Sequence, residues 1–398
     1  MAFEDGRLPK EFVLPNWESN ILTLAQALID PSRHPLWRER LGLGEPRTIL
    51  FFLIDGMNRR LVEKFSGLGE DLREEPPLTS LAPSATAAVI TSIATGRAPR
   101  QHGATGWVTW CPELAAHILP LPFTYEAGGD LASCGHAPEK LFGGGPSLFE
   151  EISRASGRQC FSIMPRTIAA SPFTTRMQKG ARIFPSASFR NMCEIAEWIA
   201  RRAAASKSGK AFVYAYSEEP DHIQHRFGLG ASETQRAYEE IGKELRRLHQ
   251  ALAKSDAVLV AISDHGFVDC PAEEAVFVED HPALGQTLRL PLSGEPRFAY
   301  CHLKPGKEKA FLDYVGNELG ERFFAILTEE HWVEKLFGTG PEHPRFRDRI
   351  GEAILLAKGG AALYDPLASE PLKAFRGLHG SLLEEEMLLP LIVIRPGV

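Results

Sequence analysis

Three short segments of this 398-residue chain consist almost entirely of apolar and β-branched residues. They are residues 48–54 (TILFFLI), 211–216 (AFVYAY) and 257–262 (AVLVAI), and residues 388–394 (LLPLIVI) form a fourth. Strands that are buried on both faces of a parallel sheet have continuous apolar sequences of this kind, whereas half-exposed strands alternate. The pattern therefore predicts a central, mostly parallel sheet that is covered on both faces.

Segments with helical periodicity separate the predicted strands. Residues 86–95 predict a helix that ends at Gly96, because glycine commonly follows the last helical turn. Residues 233–254 carry apolar side chains at helical spacing, and Ser232 with Gln235 has the pattern of a capping box. Strands that alternate with helices indicate a doubly wound α/β fold, in which helices flank a mostly parallel sheet.

Two stretches interrupt this alternation. Residues 107–190 are rich in Gly, Pro, Ser and aromatic residues and show no clear period. Residues 272–358 contain two strand-like segments, RFAYCHL and RFFAILT, and helical patterns near 308–319 and 329–337, which predicts a small α+β unit. The predicted division has three parts: a core of residues 1–106, 191–271 and 359–398, an insertion of residues 107–190 that lines the site, and a small α+β cap of residues 272–358.

Composition excludes several classes of protein. With 44% hydrophobic and 24% charged residues, the chain is typical of a globular protein, and its net charge of −7 gives no support for binding a nucleic-acid polymer or a membrane. The start of the chain lacks the pattern of a secretory signal, and no apolar run is long enough to span a membrane. Six cysteines without a CxxC pair predict reduced thiols in a cytoplasmic protein. The oligomeric state is left open.

Acidic residues and histidines follow the predicted strands directly. Asp55 follows the first strand, Asp221 and His225 lie within YSEEPDHIQH after the second, and Asp264 and His265 lie within SDHG after the third. Because the carboxyl ends of parallel strands share one edge of a doubly wound sheet, these side chains are expected to lie close together. Each motif is common in isolation, since an Asp before Gly is usually a turn residue. Their joint occurrence at successive strand ends indicates a site.

Thr86 and His379 extend this set to three carboxylates, three imidazoles and one hydroxyl. Mixed nitrogen and oxygen ligands favour Zn²⁺, with Mn²⁺ as the second choice. Two such ions about 4 Å apart can stabilise the attacking and leaving oxygens of a phosphoryl displacement. Thr86 begins a predicted helix, where free N–H groups favour negative charge, so its hydroxyl is the candidate nucleophile, although a Thr at this position is more often only a helix cap.

The order of these motifs resembles a known family. FLIDG, PSATAAVITSIATGRAPRQHGATG, YSEEPDHIQHRFG, ISDHGF and GLHG occur in the same order in the alkaline phosphatase superfamily, and the pattern is most similar to its type I phosphodiesterase/nucleotide pyrophosphatase branch. The resemblance covers roughly residues 48–110, 211–267 and 375–394. It implies an alkaline phosphatase-like α/β fold and a site that holds two divalent metal ions.

The resemblance also implies roles for individual residues. The implied metal ligands are Asp55, Thr86, Asp264 and His265 for one ion, and Asp221, His225 and His379 for the other. Tyr216 matches a tyrosine that contacts the substrate phosphoryl group. Trp107 stands where the phosphodiesterases usually have an Asn that holds a phosphoryl oxygen, and its indole could donate a hydrogen bond, stack on a base or simply pack.

Three functions are compatible with this set. The first is a two-metal phosphodiesterase or nucleotide pyrophosphatase that acts on small phosphate esters or nucleotides. In this reaction Thr86 forms a phospho-threonine intermediate, and a water molecule that the second metal activates then hydrolyses the intermediate. The second is a phosphomonoesterase or a phosphonate hydrolase of the phosphonoacetate hydrolase type. It would need cations near the phosphoryl group, and the candidates are Arg97, Arg100, Lys140 and Arg166. The third is a non-catalytic metal-binding protein, which the intact ligand set disfavours.

Overall fold

The computed structural model describes residues 8–41, 46–69, 78–207, 209–253, 255–365 and 375–395. Their α-helices are Ile21–Ile29 (α1), Pro35–Leu41 (α2), Arg59–Leu61 (α3), Thr86–Thr95 (α4), Pro99–His102 (α5), Pro138–Leu141 (α6), Leu148–Ser156 (α7), Pro172–Met177 (α8), Phe189–Ala205 (α9), Asp221–Phe227 (α10), Ser232–Ala251 (α11), Pro282–Gly285 (α12), Glu308–Tyr314 (α13), Glu330–Phe337 (α14), Phe346–Ile350 (α15) and Glu384–Met387 (α16).

Their strands are Thr48–Ile54 (β1), Leu78–Thr79 (β2), Thr109–Cys111 (β3), Ala116–Leu119 (β4), Thr124–Tyr125 (β5), Gln159–Pro165 (β6), Ala181–Ser186 (β7), Ala211–Ser217 (β8), Ala257–Ile262 (β9), Val268–Asp269 (β10), Ala275–Phe277 (β11), Ser293–Glu295 (β12), Phe298–Cys301 (β13), Phe323–Leu327 (β14), Ala353–Ala357 (β15), Ala362–Tyr364 (β16), Gly377–Leu378 (β17), Leu388–Leu389 (β18) and Leu391–Ile394 (β19). No helix of the described residues has the length and apolar character needed to cross a bilayer.

A six-stranded sheet forms the centre of the molecule. Its strand order is β19-β9-β1-β8-β6-β7, and every neighbouring pair is parallel except β19 with β9. Strand β1 lies between β8 and β9, with Ile54 opposite Ser217 and Leu53 opposite Ile262. The segments that follow β1, β8 and β9 therefore begin side by side at the same edge of the sheet, as the sequence predicted.

Both faces of this sheet are covered by helices. On β1, Phe51 points toward one core, which also contains apolar residues of α1, α4 and α7. Phe52 points toward the opposite core, which contains apolar residues of α9 and α11. Every residue of β1, β8 and β9 is buried, which explains why their sequences show no alternation. The predicted doubly wound α/β fold is confirmed.

A smaller antiparallel sheet, β12-β13-β15-β14, lies within the segment predicted as the cap. Strands β13 and β14 and helices α13 and α14 coincide with the four elements predicted there. One apolar cluster beneath this sheet combines α14 with Phe12, Leu382 and Met387 of the surrounding core segments. The cap therefore packs on the segment that follows His379.

The structure corrects three expectations from the sequence. Strands β6 and β7 belong to the central sheet, so the predicted insertion of residues 107–190 is wrong for that part; both strands mix polar and exposed residues with apolar ones and show no continuous apolar run. The predicted strand 388–394 is split at Pro390 into β18, which pairs with β2, and β19. Helix α11 begins at Ser232 itself without a side-chain cap, because Ala231 occupies the cap position.

The described residues do not include Lys254, which is the last residue of that predicted helix. They also do not include residues 1–7 and 396–398 of the predicted core.

One buried ion pair connects the cap to the core. Arg297, between β12 and β13, donates from Nε and Nη2 to the two carboxylate oxygens of Glu386, at 2.7 and 3.0 Å, and both side chains are fully buried. Arg297 Nη1 also donates to the Ala361 carbonyl at 2.6 Å, and Glu386 accepts the Ser381 N–H at 2.9 Å. A bidentate pair with these extra hydrogen bonds offsets the cost of removing two charges from water.

Removing one partner of this pair is expected to destabilise the fold strongly. Glu386→Ala leaves a buried guanidinium without its counter-charge and should lower the free energy of unfolding by about 3–5 kcal/mol. Urea denaturation followed by circular dichroism measures the change. Asp313→Ala is the matched control, because it removes the exposed ion pair with Lys309 and should cost less than about 1 kcal/mol. Equal effects of the two substitutions would contradict the structural importance of the buried pair.

Candidate active site

The predicted site residues converge at the carboxyl edge of the central sheet. Asp55 follows β1 directly, Tyr216 is the second-last residue of β8, and Asp264 and His265 follow β9 after one intervening serine. Helix α10 begins at Asp221 after a short turn and carries His225 one turn later. The four-residue spacing places both side chains on one face of the helix, with His225 Nε2 at 3.4 Å from Asp221 Oδ1.

The glycine after Asp55 permits α10 to approach β1. Gly56 has φ +67, and a Cβ at this position would lie 3.0 Å from Asp221 Cα and 2.8 Å from the Phe267 ring. Gln224 fixes the approach, because its side-chain amide donates to the Gly56 carbonyl at 2.7 Å. A side chain at position 56 would therefore separate Asp221 from Asp55, which accounts for the Asp-Gly pair at the end of the strand.

Thr86 is the first residue of α4, and its hydroxyl enters the cluster. Its Oγ1 lies 3.3 Å from Asp55 Oδ1 and 3.0 Å from His265 Nε2. His265 Nε2 lies in turn 3.2 Å from Asp55 Oδ1 and 3.5 Å from Asp264 Oδ2. The hydroxyl, two carboxylates and one imidazole thus surround a single point at the N-terminus of a ten-residue helix.

His379 completes the cluster from the segment after β17. Its ring stacks on that of His265 with centroids 3.5 Å apart, and its Nε2 lies 3.8 Å from Asp221 Oδ1. The His225 ring is 5.3 Å away. The structure therefore brings together all seven side chains that the sequence proposed as ligands, although they come from five separate segments of the chain.

Each of the three histidines points its Nδ1 at a backbone carbonyl. His225 Nδ1 faces Gly377 O at 2.9 Å, His265 Nδ1 faces Gly266 O at 3.0 Å and His379 Nδ1 faces Ser84 O at 2.9 Å. A carbonyl can only accept a hydrogen bond, so Nδ1 of each ring carries a proton and Nε2 faces the cluster, where it can offer a lone pair to a metal ion once Nε2 itself is deprotonated. Metal-ligating histidines are oriented in this way.

The three carboxylates of the cluster outnumber its positive partners, since His265 is the one cation among the clustered side chains that the structure describes. Burial raises the pKa of Asp221 and of Asp264 to about 7. Burial also raises the pKa of Asp55, and the negative charge of Asp221 raises that pKa further. Asp221 Oδ1 and Asp264 Oδ2 are buried and accept no hydrogen bond within the described part of the chain. Buried oxygens without partners are costly unless another group satisfies them.

His265 takes up part of this charge deficit. Burial alone would lower its pKa, but Asp264 and Asp55 outweigh that effect and raise the pKa of His265 to about 10. His265 thus holds a proton whose positive charge partly compensates the buried carboxylates. Two groups of side chains have ligand atoms within 4.8 Å of one another: Asp55, Asp264 and His265, and Asp221, His265 and His379. Oxygen and imidazole donors in this arrangement fit divalent ions such as Zn²⁺ or Mn²⁺.

Tyr216 lies within the cluster but contacts a carboxylate. Its hydroxyl donates to Asp55 Oδ2, and the side chain is buried. This bond orients Asp55, whose Oδ1 faces Thr86 and His265. A tyrosine within a strand that ends at the site is thus positioned by the sheet itself.

Trp107 lies between the cluster and the cap. Its backbone N–H donates to Glu295 Oε1 at 2.6 Å, and its side chain lines a pocket together with residues of β12. Burial raises the pKa of Glu295 to about 8. His102 holds this segment: it is buried between Ser92 Oγ and the Ala104 N–H, at 2.8 and 3.0 Å.

Sequence reasoning missed three residues that support the site. Ser84, two residues before Thr86, accepts the Gly380 N–H at its hydroxyl and donates to the Ser381 carbonyl, so it links the start of α4 to the segment of His379. Ser263 accepts the Met57 N–H and thereby joins the ends of β1 and β9. Ser84 lies in the motif PSAT and Ser263 lies in the motif SDHG, so these motifs could have indicated the two serines. Glu295 comes from the cap, where no motif marks it.

Comparisons with known proteins agree with this geometry. The family model "Type I phosphodiesterase / nucleotide pyrophosphatase" matches residues 49–382. Murine ectonucleotide pyrophosphatase/phosphodiesterase 5 is similar in structure, with a TM-score of 0.62, 17% identity and coverage of 88% of this chain and 89% of that chain. The human protein of the same name has a TM-score of 0.60 and 17% identity, with coverage of 87% of each chain. An inactive variant of the murine protein in complex with AMP has a TM-score of 0.61 and 16% identity, with coverage of 88% of this chain and 89% of that chain. No curated protein matched the sequence.

At this level of identity, the structural likeness establishes that the chain shares the fold of these proteins. The family model spans most of the chain and includes every one of the seven clustered side chains. The chain therefore belongs to the type I phosphodiesterase/nucleotide pyrophosphatase family, whose members are metal-dependent enzymes that hydrolyse phosphoric ester bonds.

Proposed function

We propose that this enzyme is a two-metal phosphodiesterase that acts through a covalent phospho-threonine at Thr86. The observation that carries the proposal is the position of the Thr86 hydroxyl, at the start of α4 and within 3.3 Å of both Asp55 and His265. A hydroxyl held against a buried carboxylate and an imidazole, in a cluster with a deficit of positive charge, suits a nucleophile activated by a metal ion.

Two ligand groups are proposed for the two ions. The first is Asp55, Thr86, Asp264 and His265, and the second is Asp221, His225 and His379. The two groups of close ligand atoms support most of this division, with His265 near enough to contribute to both. His225 is assigned to the second ion because its Nε2 lies 3.4 Å from Asp221 Oδ1. When bound, divalent ions would supply positive charge that lowers the pKa of the Thr86 hydroxyl and of a hydrolytic water and stabilises the charge on the phosphoryl oxygens. Zn²⁺ is the preferred ion and Mn²⁺ the second.

The residues of the chain perform the remaining steps. Asp55 accepts a hydrogen bond from the Thr86 hydroxyl and orients it, and the bond from Tyr216 holds Asp55 in place. Thr86 Oγ1 loses its proton to solvent and forms a bond to phosphorus while the bond to the departing alcohol breaks. Water then attacks the phospho-threonine from the opposite side and frees Thr86. Direct contact of Tyr216 and Trp107 with the substrate remains part of this proposal.

Phosphodiesters are the proposed substrates, rather than monoesters or phosphonates. A monoester carries more negative charge and would require cationic side chains at the phosphoryl group. Arg100, one of the candidates, pairs instead with Glu330 and Glu342, and Arg97 donates to the Gly144 carbonyl. The AMP complex of the murine relative supports nucleotides as one class of substrate.

A cytoplasmic location also remains a proposal. Its support is that all six cysteines are free and five of them are buried. Cell fractionation with antibody detection tests it, and recovery of the enzyme only from the secreted fraction would contradict it.

Replacement of the nucleophile tests the covalent step. Thr86→Ala should reduce kcat for bis-p-nitrophenyl phosphate by more than about 10³-fold, since loss of a nucleophile removes most of the catalysis. Thr86→Ser is the matched control and should retain a measurable part of the activity. Acid quenching of the wild-type reaction, followed by mass spectrometry, should find phosphate on the peptide that contains Thr86. Full activity of Thr86→Ala would exclude the threonine as nucleophile.

Metal binding should depend on pH even without turnover. Asp221 and Asp264 have pKa values of about 7 before metal binds, so below that pH protons compete for their oxygens. We expect Mn²⁺ to bind at least about tenfold more weakly near pH 6 than near pH 7.5 and to release protons as it binds. Isothermal titration calorimetry in two buffers of different ionisation enthalpy measures both effects. An affinity that is independent of pH would argue against these ligands.

Substrate charge should decide the rate. We expect kcat/KM for bis-p-nitrophenyl phosphate to exceed that for p-nitrophenyl phosphate by at least about 10²-fold, because Arg97 and Arg100, two of the four candidate cations for a dianion, are engaged elsewhere. A phosphonate ester and a dinucleotide complete the panel, with metal removed by chelation and then restored. A higher kcat/KM for the monoester would favour the phosphatase alternative.

A further inference from the structure

A pocket extends from Trp107 toward the cap. It lies between the segment around β3–β5, the β12–β13 hairpin and β16, and its volume is about 90 Å³. That volume is several times the ~10–15 Å³ that one water requires, so the pocket can hold a small organic group. Its walls are mostly apolar and are built by Trp107, Leu119, Leu292, Pro296 and Leu363.

The charged side chains that line the pocket are carboxylates. Glu126 and Asp365 line it, and no Lys, Arg or His occurs among its described lining residues. Both carboxylates are held by neighbours: Glu126 Oε2 lies 3.4 Å from His117 Nδ1, and Asp365 Oδ2 accepts the Leu292 N–H at 3.1 Å. The geometry thus fixes two negative groups against an apolar wall.

Ser293 provides an independent sign of a ligand. Its side chain lines the same pocket and is 4% exposed, and its buried Oγ has no hydrogen-bond partner within the described residues. A buried hydroxyl without a partner is unusual in a folded protein and is commonly satisfied by a bound group or water.

The pocket adjoins the metal cluster. Glu295 lines it and accepts the Trp107 N–H. A Cβ at Gly380 would lie 2.8 Å from Glu295 Cβ, so Glu295 packs directly against the residue that follows His379. Glu295 is thus shared between the lining of the pocket and the surroundings of the cluster.

We propose that this pocket binds the ammonium end of an amino-alcohol arm of the phosphodiester substrate, an inference that rests on the proposed function. The carboxylates of Glu126 and Asp365 and the hydroxyl of Ser293 accept hydrogen bonds from the ammonium N–H groups. The Trp107 ring and the apolar wall contact the carbon chain, and the indole face favours a cation. An arm that carries a carboxylate or a further phosphate is disfavoured by the same two acidic side chains.

Isosteric esters with a common leaving group test the inference. The holoenzyme is assayed with p-nitrophenyl 2-aminoethyl phosphate and p-nitrophenyl propyl phosphate, whose variable arms have nearly the same shape and differ in charge. We expect kcat/KM for the aminoethyl ester to be at least about tenfold higher, as a charge-assisted hydrogen bond at a partly buried site would give. The p-nitrophenyl ester of thymidine 5′-phosphate provides a nucleoside arm for comparison.

Variants of the acceptors identify the pocket as the source of the preference. Glu126→Gln, Asp365→Asn and Ser293→Ala should each lower the ratio of kcat/KM for the aminoethyl ester to that for the propyl ester by about three- to tenfold. Glu318→Gln is the matched control, because this exposed carboxylate of the cap lies outside the lining of the pocket, and it should leave the ratio unchanged.

The outcomes separate this inference from the proposed function. Equal kcat/KM for the aminoethyl and propyl esters, or a higher value for the thymidine ester, would overturn the assignment of the pocket while Thr86-dependent hydrolysis still stands. A ratio that the three acceptor variants leave unchanged would overturn it as well. Failure to hydrolyse any of the esters after metal is restored would instead contradict the proposed function itself.

Discussion

The cost of burying charge governs the architecture of this site. Asp55, Asp221 and Asp264 lie together at the end of the central sheet, and their raised pKa values indicate a deficit of positive charge. One oxygen each of Asp221 and Asp264 also accepts no hydrogen bond from the described residues. Such a cluster is destabilising unless cations compensate it. The fold accepts this cost at one edge only, where three parallel strands end side by side, and the same deficit provides the affinity for divalent ions that the proposed chemistry requires.

Rigid neighbours hold the cluster in place. Ser84 connects the start of α4 to the loop of His379, and the fully buried pair of Arg297 and Glu386 connects that loop to the cap. Metal ligands depend on such outer contacts for their orientation. The cap therefore has two roles: it supplies the wall of the pocket beside Trp107, and it anchors the segment that presents the last histidine.

Much of this arrangement could be predicted from the sequence, because its signals are local. The apolar runs of β1, β8 and β9 identified the sheet, and their acidic and histidine-containing ends identified the site. Strands β6 and β7 escaped prediction because they lie toward the edge of the sheet and mix polar with apolar residues. Glu295, Ser293 and Asp365 were equally invisible, because they reach the pocket only through tertiary packing, Glu295 and Ser293 from the cap and Asp365 from the end of β16. The proposed specificity thus depends on residues where local patterns are weakest.

The most direct test of the account is to locate the metal ions themselves. Crystals grown with Zn²⁺ and measured at the zinc absorption edge should give two anomalous difference peaks about 4 Å apart, one beside Asp55, Asp264 and Thr86 and the other beside Asp221, His225 and His379. A map in which these side chains surround no anomalous peak, from protein that still hydrolyses phosphodiesters, would contradict the central claim.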